Sequence, residues 1–291
     1  MRKLLLLLAA FLHLAVQAQY KSLLWKISGN GIETPSYLFG TMHTGDSRIH
    51  KLSDSVLPYF HNAKAYAMEL DPDKAMDMGL IPKLMMGKKY SLKEMVPAPE
   101  YAFLDSIVKA QVGLPAMLFD NVAPVFVMTV LEAAGMGLAQ EGGESSEVLD
   151  LYLHRLAKEK RKKVIGIETA DEQLSALNSL TYQEQADMLT KEIQSLQNDS
   201  SQGPDLVRFY LAQELDSVAQ MDDAANMPPK FYKALVTDRN VRMANRIGGF
   251  VKNQPTFIAV GALHLPGNEG VISLLRKKGY EVEPVTVVYK P

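Results

Sequence analysis

Two stretches of this sequence, "SYLFGTMHTGD" (36–46) and "TFIAVGALHLPG" (256–267), follow one plan. Each is an apolar strand-like run closed by glycine, with a histidine three residues later and another glycine shortly after. The chain has only six histidines, and two of them occupy this setting. In open α/β sheets, side chains just beyond the carboxyl ends of the strands converge on the ligand crevice. Gly40 and Gly261 would let the backbone turn sharply out of the sheet, so that His43 and His264 face back over the strand tips.

Working outward, strand-like segments fall at 23–27, 36–39, 64–70, 163–167, 256–260 and 281–289. They are short, and several are apolar on both faces, the pattern of strands buried in a mostly parallel sheet with helices on both sides. The "GNGIETP" turn predicts a starting hairpin with Gly29 and Gly31 in unusual backbone conformations. The fold class is therefore α/β, with helical insertions at about 72–160 and 170–249 forming a lid or subdomain on a single domain spanning 19–291. Within the first insertion, "NVAPVFVMTVLEAAGMGLA" is strongly apolar, but Pro124 and Glu132 interrupt it, which predicts a buried or groove-lining helix rather than a span. Nine of the 15 methionines lie between Met68 and Met136, the composition of core filler or of an adaptable apolar groove.

The first 18 residues, "MRKLLLLLAAFLHLAVQA", combine a basic start, an apolar middle and a small-residue end, which reads as a secretory signal peptide. The expected location is secreted or periplasmic. There is no cysteine, which removes disulfides, a thiolate nucleophile and a Cys-type zinc site. A formal net charge of −2, with no dense basic tract, argues against a nucleic-acid partner.

Two further strands end in carboxylates. "AYAMELD" places Glu69 and Asp71 at its exit, and "KVIGIET" places Glu168. Asp71 before Pro72 reads as a helix cap, which leaves Glu69 unexplained by capping. Two imidazoles and a carboxylate at one sheet edge suit a hydrolytic divalent metal with one position open to water. His43, Glu69 and His264 form the first ligand set; Glu168 is a further ligand, a residue orienting an imidazole, or a general base. His50, His61 and His154 read as surface residues.

The segments "LWKISGNG", "SYLFGTMH", "MELD", "GIETADEQL", "DRN" and "VGALHLPGNEGVISLLRKKGYEVEPV" together resemble the TraB/GumN family, whose relatives include the TIKI metalloproteases. That resemblance covers nearly the whole chain after residue 18 and implies an α/β protein related to the erythromycin esterase and ChaN-like folds. It also implies a divalent ion (Mn²⁺, Co²⁺ or Zn²⁺) on His43, Glu69 and His264. The family segment commonly reads Glu-Arg-Asn where this chain has Asp238-Arg239-Asn240. There Arg239 is a candidate for steadying an oxyanion or substrate carboxylate, and Asn240 for orienting a ligand. The implied activity is a metal-dependent hydrolase acting on peptide or protein. Two alternatives stand beside it: a non-catalytic protein that binds peptide, haem or metal, and a metal-free esterase-like hydrolase with His43 as general base.

Overall fold

The computed structural model describes residues 21–42, 47–50, 55–75, 82–135, 148–198, 206–221 and 227–288. His43 and the signal-like first 18 residues lie outside them. Six strands, β1 (Leu24–Ser28), β2 (Ser36–Thr41), β3 (Ala65–Leu70), β4 (Lys163–Glu168), β5 (Thr256–Gly261) and β6 (Glu281–Val285), form one mixed sheet. Its order is β4-β3-β5-β2-β1-β6. The four strands from β4 to β2 run parallel, whereas β1 is antiparallel to both β2 and β6. All six expected strands are present, with ends shifted by a residue or a few, and the α/β class holds.

The β1–β2 hairpin turns through Gly29, Asn30 and Gly31, all at positive φ. Glycine carries no Cβ penalty there, and asparagine is among the side chains that best tolerate it. The central strands are apolar on both faces because each face is covered: Phe39, Tyr66, Phe257 and Ile258 are buried completely.

The principal helices are α1 (Leu57–Asn62), α2 (Ala98–Val112), α3 (Pro124–Gly135), α4 (Leu149–Glu159), α5 (Ala170–Leu177), α6 (Tyr182–Gln197), α7 (Asp238–Phe250) and α8 (Val271–Lys277). They divide between two apolar cores. The first core is the sheet with α1, α4, α7 and α8, where Phe60, Leu153, Met243 and Leu275 are buried. The second gathers α2, α3 and α6 around Leu104, Val108, Val127, Leu131, Leu189 and Ile193. Thus α4 and α7, which lie inside the two long helical stretches of the sequence, pack on the sheet rather than on the second core. The apolar 121–139 stretch contributes α3, whose Val125, Val127 and Leu131 are buried in that second core. Among the described residues no helix is long and apolar enough to cross a membrane.

The strand ends that open the two motifs are neighbours because β2 pairs with β5, Gly40 opposite Val260 and Thr41 opposite Gly261. A Cβ on Gly40 would sit 2.8 Å from Leu265 Cδ1 and 3.2 Å from Ala262 Cα. Leu265 is fully buried and cannot swing aside, so glycine here is a packing requirement. Gly40→Ala should cost about 1–3 kcal/mol, the usual cost of overpacking a core. Gly249→Ala on α7, where a Cβ meets nothing within 4 Å, serves as the near-neutral control in urea denaturation.

Candidate metal centre

The site lies where β3, β4 and β5 end. After Gly261 the chain enters a single 3-10 turn, Ala262–His264, which delivers the buried His264. Its Nδ1 lies 2.6 Å from Asn240 Oδ1. An amide oxygen only accepts hydrogen bonds, so this contact places the ring proton on Nδ1 and the lone pair on Nε2. That Nε2 is turned toward Glu69, 3.7 Å from Oε1. Asn240 is itself oriented, since its Nδ2 donates to Glu269 O at 2.9 Å.

Glu69 is held from two directions. Its Oε1 accepts from the Gly261 backbone N–H at 2.7 Å, and its Oε2 accepts from Arg239 Nη2 at 2.7 Å. The missing side chain at Gly261 eases this approach, since a Cβ would sit 3.3 Å from Glu69 Oε1, a tight contact that would push the carboxylate back slightly. Glu168, from β4, meets the same guanidinium: Arg239 Nε donates to Oε2 at 2.8 Å, and Arg242 Nη2 reaches Oε1 at 3.3 Å. The Glu168 side chain has no solvent exposure, against 17 % for Glu69. The two glutamates are therefore unequal, one open to the crevice and one sealed beneath it.

Arg239 joins them. Burial alone would lower the pKa of its guanidinium, but the charges of Glu69 and Glu168 outweigh that and raise it. It enters from the first turn of α7, immediately after a π-helical turn, Lys233–Thr237. Such wide turns are uncommon and gather at functional sites. The β4 exit is fixed separately. Thr169 and Glu172 form a reciprocal capping box at the start of α5, the arrangement that satisfies two orphan N–H groups at once. Arg246 of α7 donates to both Glu172 oxygens at 2.7 Å, and its hydrogen bonds are the main reason the Glu172 carboxyl is lowered to about 2.

Five of the six candidate side chains fall among the described residues, and the fold brings all five together: Glu69, Glu168, Arg239, Asn240 and His264. His43, from the partner motif after β2, lies outside them. A depression lined by Asn240, Thr237, Pro266, Gly267, Asn268 and Glu269 opens beside the 3-10 turn.

His154 does not lie on the surface. It is only 8 % exposed and stands with Asp71 and Asp73 in a second cluster whose ligand-type atoms all lie within 4.8 Å of one another. The signal for its burial was in α4: Leu149, Asp150, Leu153, His154 and Ala157 form one face at helical spacing, and all are buried. Asp71 also serves as the expected cap, its Oδ1 accepting from Asp73 N at 3.2 Å.

The sequence profile of the TraB/PrgY/gumN family matches residues 23–284. Among individual proteins, the chain is 28% identical over 320 residues to "Metalloprotease TIKI2" of Xenopus tropicalis, covering 92% of this chain and 60% of that protein. It is 28% identical over 320 residues to "Metalloprotease TIKI1" of Homo sapiens, covering 92% and 62%. To "Uncharacterized protein YbaP" of Shigella flexneri it is 24% identical over 249 residues, covering 83% and 88%. The chain thus spans about 60% of the length of the TIKI proteins it matches. No solved structure matches it significantly.

Proposed function

Because the chain belongs to the TraB/PrgY/gumN family, we propose that it is a divalent-metal-dependent hydrolase whose ion is held by His264, Glu69 and His43. The observation that carries this reading is the setting of His264. A separation of 3.7 Å between its Nε2 and Glu69 Oε1 is too long for a hydrogen bond but suits two ligands of one cation. An imidazole whose other nitrogen is held by a fixed acceptor is the usual form of a metal-ligating histidine. The donor set, imidazole and carboxylate without sulfur, suits Mn²⁺, Co²⁺ or Zn²⁺.

An ion held by His264, Glu69 and His43 would supply Lewis acidity, lowering the pKa of a water in its open position toward neutrality. The chain's own residues do the rest. Asn240 sets the His264 tautomer. Glu69, the glutamate that solvent reaches, is the carboxylate able to touch water or substrate. Glu168 holds Arg239 in place from below, and Arg239 fixes the second oxygen of Glu69 while keeping a positive charge beneath the crevice. The adjoining depression offers the Asn268 amide and the Glu269 carboxylate to a substrate. The names of the relatives favour peptide or protein as that substrate, and the first 18 residues favour export to a secreted or periplasmic location. Residues 19–291 would act as one domain, the second core roofing one side.

The test uses protein purified without a histidine tag. Metal analysis and cleavage of a peptide library are run before and after chelation. Cleavage that disappears on chelation and returns with Mn²⁺, Co²⁺ or Zn²⁺ is the expected result; cleavage indifferent to chelation points instead to the metal-free hydrolase. Bound metal with no turnover on any peptide favours the binding protein. Asn240→Ala should weaken the ion by about 10–100-fold, the usual effect of losing an outer partner of a ligating histidine. A competition titration against a chromogenic chelator reads this directly.

A further inference from the structure

We propose that Asp71, Asp73 and His154 form a second divalent-cation site, separate from the one centred on Glu69 and His264, that clasps the turn after β3 to α4. It goes beyond the hydrolase reading and does not depend on it. His154 Nε2 lies 3.7 Å from Asp71 Oδ1 and 3.8 Å from Asp73 Oδ2. Those separations are beyond hydrogen-bonding range. Yet two ligands each about 2.0–2.2 Å from a shared cation lie roughly 3–3.6 Å apart, so each carboxylate needs to approach His154 Nε2 by only a few tenths of an ångström, and all three ligand atoms already lie within 4.8 Å of one another.

The independent observation is the state of the imidazole. His154 is more than nine-tenths buried, and its Nε2 has no hydrogen-bond partner among the described residues. Buried polar atoms are rarely left so, and an unbound ion is one of the standing reasons. The nitrogen is nearly equidistant from one oxygen of each carboxylate.

Two lysines flank the cluster. Lys74 Nζ lies 2.9 Å from Asp71 Oδ2, on the oxygen that His154 does not face. Lys158 Nζ lies 2.7 Å from Asp73 Oδ2 and would have to swing outward on loading. Its side chain is more than half exposed, so that movement costs little. One imidazole with two carboxylates selects Zn²⁺, Mn²⁺, Fe²⁺ or Co²⁺ over Ca²⁺ or Mg²⁺, which prefer all-oxygen sites. Asp71 follows Glu69 by two residues, whereas His154 belongs to α4 under the sheet. A cation here therefore ties the carrier of Glu69 to the scaffold.

Co²⁺ is the probe, with stoichiometry from equilibrium dialysis and coordination from visible absorption, on full-length protein purified without a histidine tag. The native protein should bind two Co²⁺, and His154→Gln and Asp73→Asn should each bind one. Saturating Co²⁺ should raise the melting temperature of the native protein by several degrees more than that of either variant. Should His154→Gln fail to fold, Asp73→Asn, a change at an exposed side chain, decides alone. Native protein that binds one Co²⁺ unaffected by either variant, or binds none, overturns the second site. One Co²⁺ that survives His264→Gln but is lost in Asp73→Asn supports the second site while overturning the assignment to His264.

Discussion

Arg239→Met should cost about 3–5 kcal/mol of folding free energy at neutral pH, the range seen when one member of a buried ion pair is removed. The reason is what it leaves behind. Glu168, with no solvent exposure, and the largely buried Glu69 share this guanidinium through contacts of 2.7–2.8 Å. Without it, two buried carboxylates lose their shared counter-charge, and Arg242, at 3.3 Å from Glu168, compensates only in part. A proton taken up by either carboxylate relieves the conflict, so the folded variant binds protons that the unfolded chain releases. The penalty should therefore shrink as the pH is lowered from 7 toward 5. Adding Glu168→Gln to Arg239→Met should recover part of the loss for the same reason. Urea denaturation of the single and double variants at both pH values reads all of this. A loss below about 1 kcal/mol, unchanged with pH, would mean that Arg239 is not the electrostatic keystone.

Glu69→Gln and Glu168→Gln should separate binding from positioning. The amide oxygen of glutamine can still accept from Gly261 N–H, so Glu69→Gln should fold, but the charge facing His264 Nε2 is gone. Ion affinity should fall by more than about 10²-fold, exceeding the loss from an outer partner, and turnover should fall with it. Glu168→Gln should keep stoichiometric metal and lose on the order of 10²-fold in rate, because it acts through the placement of Arg239 and, by that route, of Glu69. Its pH–rate profile should keep the native shape. Loss of one limb of that profile would make Glu168 a proton-transferring group instead. Metal loss in Glu168→Gln with metal retained in Glu69→Gln would exchange the two assignments.

The strands, the hairpin and the convergence on Glu69 and His264 could be read from the sequence because they depend on local pattern: apolar runs closed by glycine, and glycines at a tight turn. The bridge through Arg239 could not, because "DRN" offers Arg239 as a partner for an oxyanion or substrate carboxylate, and nothing in it says that α7 lies over β4, where Glu168 takes the guanidinium. Charge pairing across the fold leaves no periodic trace. His154 illustrates the opposite error. Histidine alone suggests a surface, but Asp150 and Ala157, one helical turn to either side, and the adjacent Leu153 mark the buried face of α4. The two-core arrangement was likewise hidden: the apolar α3 and the amphipathic α4 each offer a buried face, and nothing local says which packs on the sheet.

The placement of β5 also governs when the protein can exist at all. It lies between β2 and β3, although it is formed by residues 256–261. Until those residues are available, β2 with β1 and β3 with β4 are separate two-stranded ribbons, each short of the three or more strands that a stable sheet requires. Most of the chain must therefore be synthesised before the sheet can close, and loop closure over such separations makes that step slow. A nascent chain of this protein remains open, with unpaired strand edges exposed, until residues 256–261 have been made. Such a chain suits handling by holding chaperones, which cover those edges until β5 can insert.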